Sequence, residues 1–225
     1  GALQVIVTHG GEHGYREVMK ELVTSRGKLS RLLGATGGVR AAAARVRAAL
    51  GVDSGETAAA ALAALVAGAP VADLERAARA LDEGSKGDFE RAGVIRAWLA
   101  APDKLERIEA HWFPLFFTEK GMGKAKELKN LATQQAQKAD PGVAAIMLAE
   151  KDRAGALRDR LRRIALVQTS AAALTLGAAL LARYGAAKEA RALLDYDDLV
   201  ERSGALLRRP GVGPWVLYKL DGGID

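Results

Sequence analysis

Apolar residues recur with a helical period along most of the chain. Tyr15, Val18, Met19, Leu22 and Val23 fall at i, i+3, i+4, i+7 and i+8, one face of an amphipathic helix, and Leu29, Leu32 and Leu33 extend it. "GATGG" breaks the chain, after which Val39, Ala43, Val46 and Leu50 mark a second helix ended by Gly51. "ETAAAALAALVAG" is an Ala-rich helix of high propensity, and Pro70 suits the first turn of the next, "PVADLERAARALDEG". Phe89, Ile95, Trp98 and Leu99 mark another, stopped by Pro102; "DKLERIEAHW" follows, and Pro114 disrupts what comes after it.

The pattern then changes. From about 117 to 139 the chain has two glycines, several lysines and no sustained period, so it reads as an irregular basic excursion. Asp140-Pro141 is a good helix start, and no proline intervenes up to Leu194, so one long helix is expected over about 141–194, bent or divided at Gly155, Gly177 or Gly185. Leu157, Leu161 and Ile164 form its apolar stripe, with Arg158, Asp159, Arg162 and Arg163 on the other side. No internal repeat appears, and no linker is long enough to argue for two independent domains.

Composition points the same way. Ala and Leu dominate the apolar half of these 225 residues, aromatics are few, and all-α is the expected class. Basic residues are expected to interrupt every apolar run long enough to cross a membrane. The opening "GALQVIVTHGG" has no secretory-signal pattern and the chain has no cysteine, so a cytoplasmic location is the default. The net charge of +6 permits attraction to nucleic acid without demanding it.

Three stretches imitate chemical motifs. "HGGEH", His9 to His13, has the spacing of an inverted zinc-peptidase motif, which needs a rigid helix to bring both imidazoles to one metal; two glycines stand inside it and no third ligand follows, so it reads as a polar loop. "GMGKAK" lacks the glycine four residues upstream and the Ser or Thr after the lysine that a phosphate loop requires. "RRPGVGPW" fits the Pro-Gly-apolar-Gly turn of a helix-hairpin-helix DNA-binding module, although Pro214 removes one N–H and there is one copy; a plain interhelical connection is the alternative.

Lys120, Lys124, Lys126 and Lys129 cluster in the basic excursion against Glu119 and Glu127, and are the first candidates for phosphate contact. Arg158, Arg162 and Arg163 are the second set, with a solvated helix surface as the competing reading. Trp112, Phe113, Phe116 and Phe117, just upstream, are expected to close a core before they stack on bases.

Near the end, Asp195 is placed as an N-cap with Asp198 at the third helical position and Leu194 against Leu199, so local helix physics explains "LDYDDL" without catalysis. The order "ALLDYDDLVERSGALL" then "WVLYKLDGGID" also resembles the stretch just before the Walker B strand of UvrD-like superfamily 1 DNA helicases, above all the AddA subunit of bacterial AddAB helicase-nucleases. "FFTEKG", the "DPGVAAIMLAEKDRAGALRDRLRRIALVQTSAAALTLGAALLARY" helix and "ELVTSRGKLSRLL" resemble, more loosely, the helical insertion called subdomain 1B.

That resemblance implies a fragment of a larger protein, with 1–194 as the 1B-like insertion, 195–225 as helices leading back to an ATPase core, and an apolar core strand expected to come next after Asp225. It implies that ATP and magnesium belong to the parent and that this segment holds no cofactor and performs no reaction. The implied partners are DNA, the remaining helicase domains and an AddB-like subunit, with no membrane. A protein-interaction scaffold and a stand-alone helix-hairpin-helix module are the alternatives. The candidate DNA contacts rest on local charge alone, since the family supplies no motif there.

Overall fold

Helix formers fill the sequence and the protein is all-α. The structure is a computed structural model that describes residues 1–221, apart from the side chains of Asp197 and Glu201; the tail Gly222–Asp225, read as leading up to a strand, lies outside the described residues. In chain order the helices are α1 (Ala2–Thr24), α2 (Arg26–Thr36), α3 (Val39–Ala49), α4 (Ala58–Ala67), α5 (Val71–Asp82), α6 (Lys86–Ala100), α7 (Phe113–Phe116), α8 (Gln134–Ala139), α9 (Val143–Ala190), α10 (Tyr196–Leu207) and α11 (Val212–Asp221). Among the described residues there is no strand, only an isolated antiparallel bridge between Phe117 and Ala125. Two compact units form, one of Gly1–Val46 with Gln168–Asp225 and one of Arg47–Val167, and α9 supplies residues to both.

The unit 47–167 holds the larger core. Thr57 caps α4 by accepting from the Ala60 N–H at 3.1 Å. On α5, Leu74, Ala77, Ala78 and Leu81 recur at helical spacing and are all buried. α6 opens with a capping box between Ser85 and Asp88, and packs against α5. Asp88, Ala92 and Ile95 lie at i, i+4 and i+7 on its buried stripe. Phe89, expected on that stripe, is therefore turned about 100° off it and is exposed.

Pro102 ends α6 as expected, and a π-helical turn at Ile108–Trp112 follows. Pro114 does not break a helix; it stands in the first turn of α7, directly after the π-helical turn. Trp112, Phe113, Phe116 and Phe117 are all buried, so the aromatics close the core. The Trp98 and Trp112 rings stack at 4.2 Å between centroids, and Phe116 meets Trp112 edge-on at 5.7 Å. The excursion 117–139 is irregular but not structureless, since it contains two short 3-10 turns at Glu119–Gly121 and Leu128–Asn130 as well as α8.

One buried charge sits inside this core. Glu150 accepts from the Trp112 indole N–H at 2.9 Å and from Arg153 Nε and Nη2 at 2.7 and 2.8 Å, while Arg153 Nη1 donates to the Leu65 carbonyl at 2.6 Å. Every charge in the cluster has a partner, which is the condition under which a carboxylate tolerates the interior.

The expected long helix is α9, and Gly155, Gly177 and Gly185 all lie within it without dividing it. Residues 164–182 contain no charged side chain, so the expectation that basic residues interrupt every apolar run fails there: one 18-residue window of α9 reaches mean hydropathy 1.8. Gln168, Thr169, Ser170 and Thr175 interrupt that run, and Ile164 and Val167 pack with Val52.

In the unit formed by 1–46 and 168–225, α1 includes the "HGGEH" stretch, but Gly11 leaves helical geometry at φ 62°, ψ −169°. That break falls between His9 and His13, where the zinc motif needs continuous helix. Ser25 separates α1 from α2, so the helical phase does not carry through; Leu29 is buried, whereas Val23 and Leu32, expected on the same face, are exposed. Asp195 and Asp198 form the expected capping box of α10, and Lys188 Nζ reaches both Asp198 oxygens at 2.5 Å. Leu194 and Leu199 beside it are both exposed.

Candidate nucleic-acid interface

Chain 116–126 doubles back on itself. Lys126 N–H donates to the Phe116 carbonyl at 2.8 Å and Thr118 N–H to the Lys124 carbonyl at 3.0 Å, so two short arms flank the tip Glu119–Gly123. Within the tip the Thr118 carbonyl accepts from Gly121 at 3.1 Å and Gly123 at 2.9 Å, and the Glu119 carbonyl from Met122 at 3.2 Å.

The tip is strained. Glu119, Lys120 and Gly121 are consecutive left-handed residues with φ of 51°, 55° and 89°. For Glu119 and Lys120 that conformation costs on the order of 1–2 kcal/mol each. Gly121 has no alternative, because a Cβ there would lie 2.6 Å from Phe113 Cβ.

Two arginines from α9 hold this tip. Arg158 Nη1 donates to the Gly123 carbonyl and Arg162 Nη2 to the Met122 carbonyl, both at 2.9 Å. Arg158 also lies over the Phe117 ring, 3.7 Å from its centroid. Burial, and then the neighbouring Arg162 cation, push the pKa of Arg158 below its ordinary value.

The seven candidate cations thus take different places. Lys120 and Lys124 are exposed on the hairpin and have no ion-pair partner among the described residues. Arg162 is half-exposed beside them and pairs loosely with Asp159 at 3.6 Å. Arg158 is a positioning group, its side chain only 14% exposed. Arg163 is exposed on α9, one residue round the helix from Arg162. Lys126 turns inward and donates to the Pro114 carbonyl at 2.7 Å; burial, then the Arg91 cation, lower its pKa. Lys129 is exposed but paired with Glu127 at 2.8 Å, and the hydrogen bond from that pairing raises its pKa.

The structure therefore joins the two candidate sets at Lys120, Lys124, Arg158 and Arg162, and leaves Lys126, Lys129 and Arg163 apart from that cluster. Sequence reasoning missed Met122, exposed between the two free lysines, and the role of the Met122 and Gly123 carbonyls as acceptors. "GMG" was a visible turn signal, but its pairing with α9 joins residues 35 and 40 positions apart.

Asp88 closes the far end of the excursion. Its carboxylate accepts from the Thr133 N–H at 3.2 Å, from the Thr133 hydroxyl and from Arg91 Nη2 at 2.6 Å. Burial alone would raise the pKa of this carboxyl; hydrogen bonds from Thr133, Arg91 and Ser85 overcome it and hold the value at about 2.

The second basic motif also has a definite place. "RRPGVGPW" joins α10 to α11, with Gly211 left-handed at φ 83° and the two helices in contact. Around it Leu206, Leu207, Trp215, Leu217, Tyr218 and Leu220 are all exposed. Among the described residues no group of three or more His, Asp or Glu side chains is gathered to hold a metal ion. No family model, curated protein or solved structure matches the chain.

Proposed function

We propose that the chain is a non-catalytic helical module that guides DNA, serving as the accessory arm of an ATP-driven, UvrD-like DNA helicase. The reading is supported by one arrangement above all: the strained hairpin 116–126 is fastened onto Arg158 and Arg162 so that Lys120 and Lys124 stay free and exposed. Phosphates are held by such unpaired cations, which release condensed counterions without breaking an internal pair. Lys126 and Lys129 already have partners and contribute less. The helicase assignment draws on the resemblance of the segment from Ala192 onward, and ATP and magnesium belong to the motor of that parent.

Binding of a labelled duplex, followed by anisotropy over a range of salt, tests the reading. The expected result is weak, sequence-independent binding whose salt slope falls by about 1 for each of Lys120→Ala and Lys124→Ala. Salt-insensitive or absent binding overturns it, and ATP turnover by the purified chain overturns the non-catalytic part.

The exposed apolar residues of α10 and α11 favour a second reading, a scaffold that docks onto the remaining helicase domains or an AddB-like subunit. Trp215→Ala would then weaken association with that partner while leaving the salt slope on DNA unchanged. A plain helix-hairpin-helix module predicts the opposite, a loss of DNA binding when Gly211 or Gly213 is replaced.

A further inference from the structure

Met122 is apolar, unbranched and 64% exposed, and it stands between the exposed Lys120 and Lys124. Its backbone is fixed from both sides. Its own carbonyl accepts from Arg162 at 2.9 Å, its N–H donates to Glu119 at 3.2 Å, and the next carbonyl, of Gly123, accepts from Arg158 at 2.9 Å. Three left-handed residues precede it, and the last of them is pressed against Phe113. Strain of this kind persists where the surroundings over-determine a conformation, and it collects at working sites. Here its effect is to present one apolar side chain on a basic hairpin.

Resting on the DNA-guiding reading, we infer that Met122 is a wedge that enters duplex DNA between adjacent base pairs and partly unstacks them. Apolar side chains, methionine among them, serve this purpose in proteins that kink DNA, and the energy of unstacking is offset by phosphate contacts on either side. Lys120, within the tip, and Lys124, just after it, supply those contacts on either side of Met122. The thioether is flexible and polarisable, which suits contact with any base step and explains a wedge without sequence preference. Arg158 and Arg162 are positioning residues: they hold the tip, and the wedge fails without them even though neither reaches the bases.

The test uses the full chain and a short duplex carrying 2-aminopurine, a base whose fluorescence rises on unstacking. Wild-type binding is expected to raise that fluorescence by about twofold or more. Met122→Ala keeps the affinity within about threefold, with the same salt slope, because the phosphate contacts remain. It loses the fluorescence rise, and Met122→Leu retains it. Helix content by circular dichroism is unchanged in both, since the side chain is exposed. Binding without a fluorescence rise, or a rise that survives Met122→Ala, overturns the wedge and leaves the DNA-guiding reading standing. Absence of binding by the wild type overturns both.

Discussion

The Arg158 guanidinium lies over the Phe117 ring, 3.7 Å from its centroid, and the same side chain donates to the carbonyl of Gly123. One residue thus covers a core aromatic and fixes the hairpin that leaves it. Arg158→Ala should lower unfolding stability by about 2 kcal/mol, through the lost cation–π contact and the charged hydrogen bond. Arg158→Lys keeps the charge but not the planar fork and should recover less than half of that loss. Urea denaturation of the two variants checks the order.

Removing Glu150 should be far more costly than its position beside Arg153 suggests. Glu150→Ala leaves a partly buried guanidinium and the Trp112 N–H without their acceptor. The expected loss is about 3–5 kcal/mol, whereas Glu150→Gln keeps one acceptor oxygen and loses less. Thermal unfolding of both variants measures the difference.

Asp88 gives the stability a pH dependence of known sign. Its folded pKa, about 2, lies below the ordinary carboxylate value, so acid protonates the unfolded chain first. The contribution, about 2 kcal/mol, is complete above roughly pH 4 and is lost as pH falls through 2. Asp88→Asn should be less stable at neutral pH and should lack that part of the acid transition. Urea midpoints at a series of pH values test it; equal acid dependence in the two proteins would remove Asp88 from the account.

Two glycines of α9 should answer in opposite directions. A Cβ at Gly177 would lie 2.4 Å from Leu29 Cδ2 and 3.0 Å from Leu22 Cδ2, so Gly177→Ala should destabilise by about 1 kcal/mol even after its gain in helix propensity. Nothing lies within 4 Å of a Cβ at Gly185, so Gly185→Ala should stabilise by up to about 1 kcal/mol. Melting temperatures of the pair settle the contrast.

The helices were legible because helical period, Ala and Leu content and capping residues all act within a few residues of one another. Asp195 and Asp198 show this well: residue types and spacing alone placed their capping box. "SKGD" at Ser85–Asp88 carries the same kind of signal, and it explains why Asp88 and not Phe89 takes the inward position on α6. The three glycines of α9 were ambiguous in sequence, since flanking contacts decide whether a helical glycine bends the chain. Long-range partners could not be read at all. Glu150 and Arg153 look like a surface i, i+3 pair until Trp112, 38 residues upstream, is seen to share the carboxylate. Lys126 looked as free as Lys124, because nothing local marks the Pro114 carbonyl as its acceptor. The charge cluster was visible, and its division into free and occupied cations was not.

The excursion is fastened at one end by Arg158 and Arg162 and at the other by Asp88. Residues 127–130 lie between those anchors and are mostly exposed. They are a natural splice point: foreign peptide inserted there would lengthen an outer span whose two moorings stay put, as exposed loop sites generally permit. The same property would let related sequences vary in length at this spot while keeping both the hairpin and the helical body.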